Sequence, residues 1–153
     1  MRKKWYFCAD KSINQAFNAS IMAKQKVYIE RVLNSSSRNL IWSLISTASG
    51  LERWMADEVT EKNGAFVFRW GETWTHHDIH TAYIINKVKN ESFRFKWDSD
   101  DDPDTYVELG MMKSDLTGNY TLTITDFAHE EDVESIEDLW AEDLERLHRS
   151  TGL

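Results

Sequence analysis

The pattern of apolar and polar positions is clearest in the last stretch of the chain, which reads HEEDVESIEDLWAEDLERLH. Its apolar residues recur three or four positions apart, which places them on one side of a helix over 130–148. They are Val133, Ile136, Trp140, Leu144 and Leu147. Acidic residues precede this stripe, basic residues follow it and Gly152 lies just beyond, as expected for a dipole-compensated helix that ends at a glycine. The stripe requires a matching apolar surface.

The middle of the chain alternates apolar and polar residues with a period of two, which predicts β-strands with one apolar face each. The alternation is clearest in two aromatic segments, whose apolar positions are Phe66, Phe68, Trp70, Phe93, Phe95 and Trp97. Further strands are predicted over 27–33, 79–88, 105–112 and 120–125, with turns at 63–64, 90–91 and 117–119. Short turns between consecutive strands indicate an antiparallel meander.

Two short helices are predicted between the first strand and the meander. The first contains Leu40–Ile45, follows three serines able to cap it, and is expected to end at Ser49-Gly50. The second, Leu51–Ala56, carries Trp54, and the segment 57–60 is expected to be extended or a turn. The order is therefore β-α-α, five or six antiparallel strands and one long helix. We predict an α+β fold in which the terminal helix covers one face of a single sheet.

Length and composition narrow the class of protein. A chain of 153 residues with 41% hydrophobic residues is sufficient for one core. The net charge of −8 argues against a general role on nucleic acid or anionic membranes. No apolar run approaches the roughly 18 residues of a membrane-spanning helix. The single cysteine, Cys8, forms no internal disulfide, which suits a reducing compartment. We therefore predict a cytoplasmic domain.

The first residues differ in composition from the rest. Residues 1–22 carry four basic side chains against one acidic one, and their apolar run is too short for a secretory signal. We predict that residues 1–24 form an N-terminal tail, either disordered or a non-native extension, with a docked extra helix as the alternative. The domain is predicted over 25–150, and we hypothesise that the native domain begins near Met22 and that the preceding residues are dispensable.

Several segments, taken in order, resemble one family. The run SSSRNLIWSLISTASGLERWMADEV resembles the opening of START-like (SRPBCC, helix-grip) proteins, and GAFVFRWG resembles their glycine-led aromatic strand. ESFRFKW, DTYVELGM and NYTLTITDFA, followed by the helix containing Trp140, continue the likeness over roughly 26–148. The likeness is to a bacterial subgroup related to the domain that activates the ATPase of a heat-shock chaperone. The 71–80 hairpin, with Trp74 and three histidines, is longer than the family pattern, which would alter the pocket mouth or the sheet edge.

The resemblance implies a strongly curved antiparallel sheet wrapped around the C-terminal helix, with an elongated apolar cavity between them. Members of the wider superfamily bind lipids, sterols, plant hormones or polyketides, and some are cyclases or chaperone regulators. The residues that we assign to ligand binding are Trp54, Phe66, Phe68, Trp70, Phe93, Phe95, Trp97, Leu109, Met111, Leu122, Trp140 and Leu144. A ligand of such a surface would be lipophilic with one polar end.

Two other interpretations stay open. Aromatic residues at period two also form ordinary cores, and the domain would then be a protein-interaction or chaperone-regulating module, or a homodimer, with a closed cavity. An enzyme has little support, because the only cysteine lies in the predicted tail and no GxSxG, HExxH or phosphate-binding glycine motif is present. No cofactor is predicted.

Two polar clusters invite a metal interpretation. His76 and His80 lie ~13 Å apart on an extended strand, too far to share one ion unless the segment turns. The acidic run 98–104 places Pro103 and Leu109 where an EF-hand loop needs glycine and glutamate. We therefore predict no metal site, a polar hairpin around His76, His77 and His80, and a solvated acidic tip that would attract a basic partner.

Overall fold

The computed structural model describes residues 23–153, which form one antiparallel sheet and three α-helices. The strands are β1 (Gln25–Val32), β2 (Glu58–Lys62), β3 (Ala65–Trp70), β4 (Asp78–Val88), β5 (Ser92–Trp97), β6 (Val107–Lys113) and β7 (Tyr120–Ala128). The helices are α1 (Arg38–Ser46), α2 (Ala48–Glu52) and α3 (Val133–Thr151). A short 3-10 turn, Glu130–Asp132, leads into α3. This order confirms the predicted α+β fold.

The seven strands lie in the order β1-β7-β6-β5-β4-β3-β2, and every neighbouring pair is antiparallel. From β2 to β7 each strand pairs with the next in the chain, so this part is the predicted meander. The first strand crosses over to pair with the last. The resulting sheet is curved but not closed, and β1 and β2 form its two edges.

The edge strand β2 is not predicted by the sequence pattern, which indicates only an extended segment or a turn over 57–60. In β2 only Val59 is apolar and buried, and it lies opposite Phe68 of β3. One inward apolar residue is too little to produce a period-two signal. The following turn is as predicted: Asn63 and Gly64 both have positive φ, 52° and 74°, which suits a tight hairpin.

The expected helix end at Gly50 is wrong. Helix α1 stops before Thr47, whose hydroxyl accepts a hydrogen bond from the Gly50 amide at 3.0 Å and caps α2. Gly50 lies inside α2, where an added Cβ would be 1.9 Å from the Ser43 carbonyl oxygen. The glycine therefore permits close contact between the two helices. Trp54, predicted within a helix over 51–56, lies in the turn after α2.

The predicted terminal helix is confirmed, and α3 continues to Thr151. Gly152 has a φ of 77°, and its amide donates to the His148 carbonyl at 2.8 Å, which ends the helix as a left-handed glycine does. The residues that α3 buries are Ile136, Trp140, Asp143, Leu144 and Leu147. The apolar members match the predicted stripe, whereas the burial of Asp143 does not follow from the sequence pattern.

Polar contacts attach α3 to the sheet edge and to the segment after α2. Arg31 of β1 forms a salt bridge with Glu145 at 3.3 Å. Arg146 donates to the Ala56 carbonyl at 2.8 Å and lies 3.5 Å from the Asp57 carboxylate. These contacts add to the apolar packing that holds the helix against the inner face of the sheet.

Within the part of the chain that the structure describes, one face of the sheet is buried and the other is largely exposed. On β5, Phe93, Phe95 and Trp97 point into the core, while Arg94 and Lys96 lie half-buried on the outer face. The inward residues of the other strands join those of the three helices in one continuous apolar core. This confirms the prediction of a sheet covered on one side.

The predicted tail falls outside the described residues, apart from positions 23 and 24. Lys24 forms a salt bridge with Asp100 at 3.4 Å, so contacts with the domain begin at or before this residue. The start of the native domain near Met22 stays a prediction.

Candidate functional site

Six aromatic side chains form a continuous wall on the inner face of β3 and β5. Phe66, Phe68, Trp70, Phe93, Phe95 and Trp97 are each at most 8% exposed. The ring centroids of contacting pairs lie between 5.0 and 6.3 Å apart, within the range of stacked and edge-to-face contacts. Because side chains alternate along a strand, these residues lie on the same face of the sheet. Both β3 and β5 pair with β4, which lies between them and sets their relative register. We call this surface the aromatic wall.

The other six predicted residues complete the same core. Trp54 and Trp140 contact each other with ring centroids 6.2 Å apart. The remaining four are aliphatic residues of β6, β7 and α3, namely Leu109, Met111, Leu122 and Leu144. All twelve are buried in one cluster. The structure therefore brings together every residue that the sequence assigns to the candidate site.

The indole N–H groups of the buried tryptophans differ in how they are satisfied. Three of them donate to acceptors: Trp54 to Leu44 O at 2.9 Å, Trp70 to Met55 O at 2.8 Å, and Trp140 to Asp126 Oδ2 at 2.8 Å. The Nε1 of Trp97 is equally buried but has no hydrogen-bond acceptor within residues 23–153. Leaving a buried donor without an acceptor costs about 1–3 kcal/mol. Within the aromatic wall, Trp97 therefore differs from Trp70 in that its indole N–H is buried without a hydrogen bond to residues 23–153.

Asp126 is a site residue that sequence reasoning missed. It lies on the inner face of β7, two positions beyond Ile124, and is only 7% exposed. Its carboxylate accepts hydrogen bonds from the Trp140 indole and, at 2.8 Å, from the Phe127 amide. The sequence does contain a signal for Asp126, because an aspartate at an inward position interrupts an otherwise apolar face of the strand. Buried carboxylates require such partners.

A bulge in β4 brings Lys87 to the inner face at one end of the aromatic wall. The register with β5 shifts between Ile84 and Asn86, so Lys87 lies opposite Phe93. Its ammonium group lies 5.4 and 5.2 Å from the ring centroids of Phe66 and Phe93, and it donates to the Ser46 carbonyl at 3.0 Å. Cation–π attraction therefore stabilises this end of the wall.

His80 and Asp98 mark the opposite end of the wall. His80 Nδ1 lies 2.9 Å from Asp98 Oδ1, and the His80 ring is 6.3 Å from that of Trp70. Asp98 also accepts from the Thr81 amide at 3.0 Å. Between residues 23 and 153 no three His, Cys, Asp or Glu side chains are grouped to hold a metal ion. His77 turns to its own loop, with Nδ1 3.0 Å from the Thr75 carbonyl.

The acidic loop after β5 is not the fully solvated tip that the sequence predicts. The Asp100 side chain is only 12% exposed, and besides Lys24 it accepts a hydrogen bond from the Thr105 hydroxyl at 2.5 Å. Lys96 donates to the carbonyl oxygens of Asp102 and Thr105. The loop folds onto itself because these internal donors compete with water for its oxygen atoms.

A curved antiparallel sheet that packs one face against a long C-terminal helix defines the helix-grip class of α+β proteins. The chain matches the START-like superfamily domain over residues 21–153, and it belongs to that superfamily. The resemblance noted in the sequence is thereby confirmed. START-like domains commonly bind hydrophobic ligands.

Solved structures of bacterial proteins share this fold. BfR322 from Bacteroides fragilis is 36% identical to the chain, over 84% of this chain and 91% of that one, with a TM-score of 0.59. The Aha1 dimer from Colwellia psychrerythraea is 12% identical over 84% and 98% of the two chains, with a TM-score of 0.63. Mll3558 from Rhizobium loti is 16% identical over 84% and 98%, with a TM-score of 0.66. The latter two likenesses show the fold alone. A search of the curated proteins finds no match.

None of the helices described between residues 23 and 153 combines the length and the apolar character that a membrane crossing requires.

Proposed function

We propose that this protein binds a lipophilic small molecule between the aromatic wall and α3. The aromatic wall supplies a large apolar surface with few hydrogen-bonding groups, which favours a mainly apolar ligand. The observation that carries the proposal is the buried Trp97 Nε1, a directed donor without an acceptor in the described chain. A ligand that reaches it must displace part of the present aromatic packing, because this atom is enclosed by its neighbours.

The same donor defines the polar end of the ligand. An indole N–H binds an oxygen acceptor, and Trp97 lies at the end of the wall that carries the Asp98 carboxylate. A neutral N–H donor is matched by a neutral oxygen acceptor, so we propose that the ligand carries an uncharged group such as a ketone or ester carbonyl at this end.

The binding surface is tested by titrating the protein with Nile red, an uncharged apolar dye. We expect its fluorescence to rise on binding, and Phe95→Trp or Leu122→Trp to weaken binding because the larger side chain takes up volume that the ligand would have to occupy. Thr60→Trp is the matched control, since this exposed residue lies on the outer face of β2. Absence of binding by Nile red and by a panel of lipids would contradict the proposal.

The polar contact is tested with two ligands that differ in one group, acetylnaphthalene, which has a carbonyl, and ethylnaphthalene, which has a methylene in its place. We expect Trp97→Phe to weaken binding of the ketone about 3- to 10-fold, which corresponds to the net value of one hydrogen bond. Binding of the hydrocarbon should change much less. Equal effects on both ligands would show that Trp97 contributes contact area and no hydrogen bond.

A second candidate function is that of a protein-interaction module with a closed core. Two observations favour it: the rings of the aromatic wall contact one another directly, and one structural relative is an Aha1 dimer. In that case the dye, the lipids and both naphthalenes would fail to bind, although the protein is folded. The ligand experiments therefore also separate the two candidates.

A further inference from the structure

The strand β1 forms a long edge of the sheet. It has eight residues and pairs with β7 on one side, and no strand within residues 23–153 pairs with its other side. The opposite edge, β2, has only five residues, and three of them are charged. Short, charged edge strands resist pairing with other chains, whereas a long edge without proline is able to accept another strand.

The hydrogen-bonding phase of β1 determines which backbone groups face outward. The Leu33 amide donates to the Tyr120 carbonyl of β7 at 2.9 Å. Because backbone groups along a strand point alternately to its two sides, the odd-numbered residues of β1 bond to β7. The amide and carbonyl groups of Lys26, Tyr28 and Glu30 therefore point to the edge that no strand of residues 23–153 covers.

The side chains of these three residues lie together on the outer face of the sheet. Tyr28 is 52% exposed, and its hydroxyl donates to Glu30 Oε1 at 3.1 Å. Lys26 and Glu30 are also exposed, two positions to either side of Tyr28. Partial desolvation and the hydrogen bond to the Glu30 carboxylate raise the pKa of Tyr28, so its phenol remains neutral over the physiological range.

We propose that β1 pairs antiparallel with β1 of a second copy of this chain, around a two-fold axis at Tyr28. An axis perpendicular to the sheet keeps the buried faces of both copies on the same side and places each residue opposite its mirror position in the strand. Lys26 of each copy then faces Glu30 of the other, and the two Tyr28 rings meet. Each facing pair exchanges two backbone hydrogen bonds, which extends the sheet across both copies.

Charge complementarity between Lys26 and Glu30 favours this register and a second copy of the same chain as the partner. With the axis at Ile29, Lys26 would face Val32 and gain no opposite charge. With the axis at Val27, Lys26 would face Tyr28, and Glu30 would face Lys24, which already pairs with Asp100. A lysine on an edge strand ordinarily opposes pairing. Here its charge is matched by Glu30 of an identical chain, so the edge is complementary to itself.

The proposal is tested by sedimentation velocity of the full chain over micromolar concentrations, with Lys26→Glu and Glu30→Lys as variants. We expect the unaltered chain to form dimers and each variant to dimerise at least about 10-fold more weakly, because the facing residues then carry like charges. An equimolar mixture of the two variants should regain the dimer. In the mixed pair, the glutamate introduced at position 26 of one copy faces the lysine introduced at position 30 of the other. The second facing pair keeps its original residues, so opposite charges meet at both places.

The control is Lys62→Glu, which makes the same charge change on the other edge of the sheet and should leave the dimer unchanged. Circular dichroism of each variant establishes that it is folded. A chain that remains monomeric at all concentrations would overturn the proposal. So would a dimer that persists in both single variants, or a mixture that fails to regain it. None of these outcomes depends on the proposed ligand.

Discussion

At the scale of single residues, Trp140 combines ring packing with a directed hydrogen bond, both to described residues. Its ring packs against Trp54, and its indole N–H donates to the buried Asp126 carboxylate at 2.8 Å. The ring is fully buried among close-packed neighbours, and the hydrogen bond adds a directed restraint on the orientation of the indole. Trp140 therefore forms a rigid part of the boundary between α3 and the inner face of the sheet.

Replacing Asp126 tests this contact. We expect Asp126→Ala to lower the free energy of unfolding by about 1–3 kcal/mol, because the buried Trp140 donor loses its acceptor. Denaturant unfolding, followed by tryptophan fluorescence, measures the difference. Asp115→Ala is the control, since Asp115 is exposed in the turn between β6 and β7 and its replacement should change stability by less than about 0.5 kcal/mol. A similar small change in both variants would show that the hydrogen bond does not stabilise the fold.

At the scale of elements, Gly50 determines how closely the two short helices pack against each other. Gly50 lies where α2 approaches the backbone of α1, and the Thr47 side chain caps the second helix. Trp54 then donates to the Leu44 carbonyl at 2.9 Å and packs beneath this junction. The position of Trp54 in the core therefore depends on how closely the two helices approach each other.

The approach of the two helices is tested by Gly50→Ala. Its methyl group would overlap the Ser43 carbonyl oxygen and the Leu44 Cα, so one helix must shift. We expect the free energy of unfolding to fall by about 1–3 kcal/mol, as for other overpacked sites. Ser49→Ala, at an exposed position in the same helix, provides the matched comparison. If both variants unfold at the same denaturant concentration, the close contact is not required.

At the scale of the whole molecule, the extent of the domain is open to experiment. The START-like match begins at residue 21, and Lys24 already contacts Asp100. We expect a chain that starts at Met22 to retain the circular dichroism spectrum and unfolding midpoint of the full chain. A chain that starts at Val27 loses Lys24 and the beginning of β1, and should be less stable. Failure of the Met22 chain to fold would show that earlier residues belong to the domain.

Much of the fold was predictable because its strongest signals are local. The stripe of α3 and the alternation in β3 and β5 depend on residues a few positions apart, and they correctly placed these elements and their buried faces. The strand β2 gave no such signal, since its single buried residue, Val59, shows no period. The helix break near Thr47 was missed because a glycine in a helical pattern is more often an end than a contact point.

Apart from β2, the order of the elements, their buried faces and the aromatic character of the inner face follow from the sequence alone, because periodicity and turn residues act within a few positions. Which polar groups meet inside the protein depends on the tertiary structure. His80 and Asp98 come together through strand register, and Lys87 reaches the inner face through a bulge. The absence of an acceptor for Trp97 within the described chain follows from the same packing. These features depend on distances between strands, which no local pattern encodes.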